Sequence, residues 1–235
     1  MVRDAVIFAA RVDFAMDAAA FTERYYRLPE IRRAKVDFYV YPRDKAVALA
    51  AGLLMRWCLE QTLGRPLAEG ELSVDARGKP FLQGQTGIHF NISHAGAYVV
   101  CVVADRETGV DIEEIRDNDY REVARLAFSR EDYAVWEAQP AGEKVDGFFR
   151  LWTLRESFTK AMGLGSSLAA GDVAFSRVKG RPDTYKAHYR GADRRQEWYC
   201  RQYGRFPGYK LALCLPQQFF PAQVRMVTMQ DLCNT

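Results

Sequence analysis

The chain has 235 residues, room for one large domain or two small ones, and is 49% hydrophobic, 27% charged and 13% aromatic, which excludes a wholly disordered or fibrous protein. The net charge, 33 − 30 = +3, is too small to indicate nucleic-acid binding. Five widely spaced cysteines (Cys58, Cys101, Cys200, Cys214, Cys233) without a CxxC indicate neither a zinc ribbon nor a disulfide framework and fit reduced thiols in a cytoplasmic protein.

The first predicted element is a strand over residues 2–9. Asp4 and Asp13 interrupt the N-terminal apolar stretch, which lacks the layout of a signal peptide. Residues 17–27 read as a helix that stops before Pro29. Residues 43–63 carry the longest helical pattern, closed by Gly64 and Pro66. The apolar run 46–55 inside it ends at Arg56, too short for a bilayer and suited to a buried helix, so no membrane insertion is expected. A short strand at 71–75 leads into the turn Arg77-Gly78-Lys79-Pro80. Strands follow at 90–93 and 97–104, the second apolar enough to be buried on both faces, with His94-Ala95-Gly96 as the turn between them.

Gly109 opens a strand over 110–115, and Ser129 with Asp132 resembles a helix-starting capping box. Residues 139–142 read as a loop, and 147–162 as a helix closed by Gly163 and Gly165. Strand-like segments dominate from there: 173–178, 185–189, 197–203, 209–215 and 222–228. Helices and strands are mixed without regular alternation, which predicts an α+β fold with mainly antiparallel sheets. The polar stretch 105–108 is the expected boundary, giving an N-terminal half, 1–106, and a C-terminal half, 107–235.

Charge is unevenly distributed. Residues 105–119 hold seven acids and two bases, a net of −5, and residues 177–210 hold ten bases and three acids, a net of +7. These suit a divalent metal and an acidic partner respectively, or are solvated loops and hairpin faces.

Three patterns can carry chemistry. In Gly109-Val110-Asp111-Ile112-Glu113, strand alternation sends Val110 and Ile112 to the core and places Asp111 and Glu113 together on the other side. Paired carboxylates raise each other's pKa unless a cation lies between them, and hard oxygen ligands suit Mg²⁺; the alternative is an acidic strand edge facing solvent. Trp152, Glu156 and Lys160, at i, i+4 and i+8, share one helical face, where Glu156 is a third ligand or a base and Lys160 a phosphate contact, or the two are an exposed ion pair. Ser93 and His94 at a strand end offer a hydroxyl and an imidazole to a phosphate, or serve a turn. Scattered bases (Arg32, Arg33, Lys35, Arg43, Lys45, Lys79) read singly as surface charges. There is no GxSxG, Walker A, GxGxxG or HExxH motif, which argues against hydrolase-elbow, P-loop, dinucleotide-binding and zincin chemistry.

The motifs GKP, FNISH, GVDIE, FSREDY, WTLRESFTKAMGLGSSL and PGYKLALC occur in this order. This ordered set closely resembles the surfactin-type (Sfp-like) 4'-phosphopantetheinyl transferases, from about Arg32 to the C-terminus. The resemblance implies two similar α+β halves related by a pseudo-two-fold axis, with the active site at their interface, in a monomer. It implies Mg²⁺-dependent transfer of 4'-phosphopantetheine from coenzyme A to a serine of an apo carrier protein (acyl, peptidyl or polyketide), releasing adenosine 3',5'-bisphosphate. The partners are then coenzyme A and acidic, transiently docking carriers, with no nucleic acid and no membrane.

Carried over by motif, Asp111, Glu113 and Glu156 match the Mg²⁺ carboxylates, and Lys160 matches the lysine on the pyrophosphate. Ser93 and His94 match coenzyme A phosphate contacts, and Gly78 and Lys79 match the GKP turn beside the nucleotide. The family's base is either the glutamate matching Glu156 or a metal-bound water. Arg155 stands where the family usually has lysine, and the PRDKA set looks more like animal-type members, with Arg43 the choice for the 3'-phosphate.

Overall fold

The computed structural model describes residues 4–191 and 196–233. Its elements, in chain order, begin with β1 (Val6–Arg11), α1 (Ala18–Tyr26), α2 (Glu30–Asp37), α3 (Pro42–Leu63), β2 (Leu72–Val74), β3 (Pro80–Leu82), β4 (His89–Ala95), β5 (Tyr98–Ala104) and β6 (Gly109–Glu114). They continue with α4 (Arg121–Ala127), α5 (Arg130–Glu137), α6 (Ala141–Met162), β7 (Val173–Val178), β8 (Arg181–Tyr189), β9 (Trp198–Gln202), β10 (Tyr209–Leu215) and β11 (Val224–Val227). The chain divides into two compact units, one of Met1–Arg106 with Pro221–Thr235 and one of Glu107–Phe220. Among the described residues no helix is long and apolar enough to cross a membrane.

The first unit is built on a four-stranded sheet of order β11-β1-β5-β4. β1 runs antiparallel to β5 and parallel to β11. α3 packs on this sheet with Leu49, Leu53, Leu54, Met55 and Cys58 buried against Val99, Cys101 and Val103. Its middle is apolar all round, as a helix covered on several sides requires. Gly64 ends it in the left-handed region, φ 68°. α2 was not expected from the sequence: only Val36 of it is buried, so its bases read as loop charges rather than as one face of a helix.

Two sequence expectations are corrected here. The last strand, β11, belongs with the first unit rather than with a half spanning 107–235, because it pairs with β1 from Ile7↔Val224 to Ala10↔Val227. The β4–β5 turn is not His94-Ala95-Gly96 either. The ladder runs through Ala95↔Tyr98, and Gly96, φ 52°, supplies the left-handed residue of a two-residue turn.

The second unit is an antiparallel sheet of order β6-β10-β9-β8-β7 with α6 across one face. Leu154 and Phe158 of α6 pack against Trp198, Cys200, Ala212 and Cys214. α6 begins at Ala141, well ahead of the expected 147, so the predicted loop over 139–142 is shorter than read. Pro140 at its N-cap has the fixed φ that suits a helix start. Gly142, which read as a loop residue, and Gly147, which read as the first residue of the helix, both lie inside it, and burial of Phe148, Phe149 and Leu151 outweighs their cost of roughly 1 kcal/mol each. Ser129 caps α5 as expected, its Oγ accepting from the Asp132 amide at 3.0 Å and donating to Asp132 Oδ2 at 2.9 Å.

Candidate active site

Among the described residues β6 is the first strand of its sheet, beside β10, and α6 lies across one of its faces. The strand period of two places Gly109, Asp111 and Glu113 on one side. That side is the one α6 covers. A Cβ on Gly109 would stand 2.1 Å from the Ser157 carbonyl oxygen and 2.3 Å from the Ala161 nitrogen, so glycine lets helix and strand approach this closely. Val110 and Ile112 are fully buried on the opposite face, beside Leu213 and Leu211, and not in the cluster under α6. The carboxylates, not the valine and isoleucine, therefore share the helix-packed side.

α6 delivers Trp152, Glu156 and Lys160 from successive turns to this side, as their spacing predicts. Lys160 Nζ lies 2.6 Å from Asp111 Oδ1 and donates to the Val110 carbonyl at 3.3 Å. Trp152 Nε1 donates to Glu113 Oε1 at 3.2 Å. Arg155 Nη1 lies 3.0 Å from Glu156 Oε1. Asp111 is 3% exposed.

The electrostatics follow from this packing. Burial, then the charge of Asp111, pushes the Glu113 carboxyl up to about 7, against the opposing pull of Trp152 and Lys160. Burial and Asp111 also raise Glu156, while Arg155 and Lys160 oppose the rise. Three carboxylates thus lie within each other's field, an arrangement that a cation relieves, and their hard oxygens are the donors Mg²⁺ takes. Among the described residues no three His, Cys, Asp or Glu side chains form a ready metal site. Asp111 faces Lys160, Glu113 faces Trp152 and Glu156 faces Arg155. The donor set fits a hard divalent cation in its chemistry, with each carboxylate held by a partner from α6.

The other sequence candidates lie in the first unit. Gly78 and Lys79 sit at the β2–β3 hairpin, where Asp75 Oδ1 accepts from the amides of Arg77 at 2.8 Å and Lys79 at 2.9 Å. Gly78 has φ 81°, the left-handed conformation the turn demands. Ser93 and His94 are neighbours inside β4, so their side chains leave by opposite faces: Ser93 is buried and His94 exposed. Arg43 is exposed at the start of α3, its guanidinium 4.1 Å from the Phe14 ring centroid. Beside it lies a cavity of about 650 Å³ lined by Phe14, Met16, Phe21, Val40 and Lys45.

The basic stretch 177–210 is less basic in effect than its sum. Lys186 pairs with Glu197, Arg190 with Glu131 at 2.7 Å, Arg201 with Asp183 at 2.9 Å and Lys210 with Asp146 at 2.6 Å. Asp193, Arg194 and Arg195 lie outside the described residues. Sequence reasoning missed the spacer role of Gly109 and the contacts of Arg155. A glycine opening a strand signals the first only once the covering helix is known, and nothing local signals the second.

Comparison with known proteins matches residues 17–106 to the family model "4'-phosphopantetheinyl transferase, N-terminal" and residues 107–214 to the "4'-phosphopantetheinyl transferase superfamily". The chain is similar to the 4'-phosphopantetheinyl transferase Sfp of Bacillus subtilis (strain 168), at 30% identity over 201 residues, 86% of this chain and 88% of that protein. It is similar to the 4'-phosphopantetheinyl transferase gsp of Aneurinibacillus migulanus, at 29% identity over 197 residues, 83% and 80% of the two. Among solved structures, Thermotoga maritima holo-[acyl-carrier-protein] synthase aligns with TM-score 0.36 and 16% identity over 46% of this chain and 61% of that one.

Proposed function

Because the chain belongs to the 4'-phosphopantetheinyl transferase superfamily, in its surfactin-type (Sfp-like) branch, we propose that the β6–α6 carboxylate cluster is its catalytic centre and that it uses Mg²⁺. The enzyme transfers 4'-phosphopantetheine from coenzyme A to a serine of an apo carrier protein and releases adenosine 3',5'-bisphosphate. The observation that supports this centre is the meeting of Asp111, Glu113, Glu156 and Lys160 on the shared side of one strand and one helix.

Asp111, Glu113 and Glu156 would hold Mg²⁺, which when bound supplies Lewis-acid stabilisation of charge on a diphosphate ester. Lys160, already 2.6 Å from a carboxylate, is the positive charge this chain offers to the pyrophosphate oxygens as the bond to phosphorus breaks. Glu156, raised above the ordinary carboxylate value, accepts the proton that the attacking serine hydroxyl gives up. In the first unit, Arg43, Gly78, Lys79 and His94 are the residues that offer coenzyme A their side chains or backbone. Of the two β4 neighbours, exposed His94 offers its side chain to a phosphate, while buried Ser93 faces the other way. The enzyme acts as a cytoplasmic monomer that carriers, typically acidic, visit transiently.

The test incubates the purified chain with coenzyme A, Mg²⁺ and a panel of apo carrier proteins, and reads intact carrier mass. The expected result is a gain of one phosphopantetheine group on the serine of at least one carrier, abolished by EDTA and restored by Mg²⁺. No gain on any carrier would make the chain a docking module. Release of adenosine 3',5'-bisphosphate without a carrier would make it a phosphohydrolase.

A further inference from the structure

Neighbouring residues of a helix do not normally face each other. Arg155 and Glu156 nevertheless meet, 3.0 Å apart, and the rest of the Arg155 fork shows how. Its Nε donates to the Ala127 carbonyl at 2.9 Å, and its Nη2 donates to the Leu168 carbonyl at 2.7 Å. Ala127 is the last residue of α4, where helix carbonyls lack an internal partner. Leu168 is buried in the connection that leaves α6. The Arg155 side chain is 13% exposed, and its guanidinium bonds in three directions at once.

We infer that Arg155 is a positioning residue for the reaction. The two carbonyls pin its guanidinium, and the pinned guanidinium holds Oε1 of Glu156, which orients the carboxylate toward Asp111. This rests on the reading of Glu156 as part of the catalytic centre. A lysine carries the same charge on a single nitrogen and cannot span both carbonyls and the carboxylate. Arginine thus ties the end of α4 and the connection after α6 to the orientation of one carboxylate.

The test compares Arg155→Lys and Arg155→Met with the wild type in the full chain. Calorimetry measures Mg²⁺ binding without coenzyme A or carrier, steady-state kinetics gives kcat and KM for coenzyme A, and thermal denaturation gives Tm. Residues that orient metal ligands typically change metal affinity or activity by about 10–100-fold. Both variants are therefore expected to weaken Mg²⁺ binding and lower kcat by at least about tenfold, with KM for coenzyme A little changed. The lysine variant should resemble the methionine variant rather than the wild type. An Arg155→Lys enzyme with wild-type Mg²⁺ affinity and kcat would show that charge alone suffices, and would overturn the inference. A parallel fall in Tm, 1/KM and kcat in both variants would overturn it in favour of a purely structural tie. A wild type that transfers phosphopantetheine yet binds no Mg²⁺ would remove the metal assignment alone. In that case a kcat loss at constant KM would still support Arg155, and an unchanged kcat would reject it.

Discussion

Ser157 and Ala161 meet the hydrogen side of Gly109 with backbone atoms, which cannot rotate away as a side chain could. Overpacking a close contact typically costs about 1–3 kcal/mol, and here the added methyl has only helix backbone to displace. Gly109→Ala is therefore expected to lower stability by at least that amount and to push α6 outward from β6. Glu156 and Lys160 then recede from Asp111 and Glu113. Chemical denaturation should show the loss. The kcat of the variant, taken where it is still folded, should fall more than about tenfold, as displaced catalytic groups imply. Wild-type stability and turnover in Gly109→Ala would mean that the helix does not press on the strand this closely. The same scale explains Ser93 and His94: adjacency in sequence suggests cooperation on one phosphate, but a strand separates adjacent side chains to opposite faces.

Among elements, the connection from α3 to β2 shows how one carboxylate organises a loop. Glu71 accepts from Arg65 through both oxygens and from the Ala68 amide at 2.9 Å. The Arg65 bonds first, then the Ala68 amide, hold its carboxyl down at about 2, against an ordinary 4.5. A depressed pKa contributes stability above the unfolded value, and that contribution disappears as pH falls from 4.5 through about 2. Arg65 is 46% exposed, so solvent screening keeps the gain on the order of 1 kcal/mol. Glu71→Gln is expected to destabilise the protein by that amount near pH 7. The gap between variant and wild type should narrow on acidification through this window. Urea titrations at a series of pH values check it, and a gap independent of pH would exclude the charged pair as its source.

Across the whole molecule, the chain leaves the first unit after Arg106 and returns to it at Pro221. Val224 of β11 and Leu232 beyond it are 4% and 2% exposed, and the Cys233 carbonyl accepts a hydrogen bond from Arg27. Burying each such apolar side chain contributes roughly 1.5–3 kcal/mol, so removing both costs roughly 3–6 kcal/mol. A chain ending at Phe220 is expected to lose protection at the β1 and β5 amides in hydrogen exchange, while β9 and β10 amides stay protected. Equal loss in both sheets would show that the two units do not open separately.

The periodicities that place the candidate site are local, and the sequence carries them. A period of two sets Asp111 and Glu113 on one side of a strand, a period near 3.6 aligns Trp152, Glu156 and Lys160, and Gly64 marks where α3 must stop. Only the tertiary structure decided which side of β6 the helix would cover, that β11 would join β1, and that Arg155 would reach Ala127 and Leu168. Those contacts join segments far apart in sequence or set by loop paths, so no repeat in the chain announces them. They are settled by which buried surfaces and unpaired carbonyls find partners when the whole chain packs.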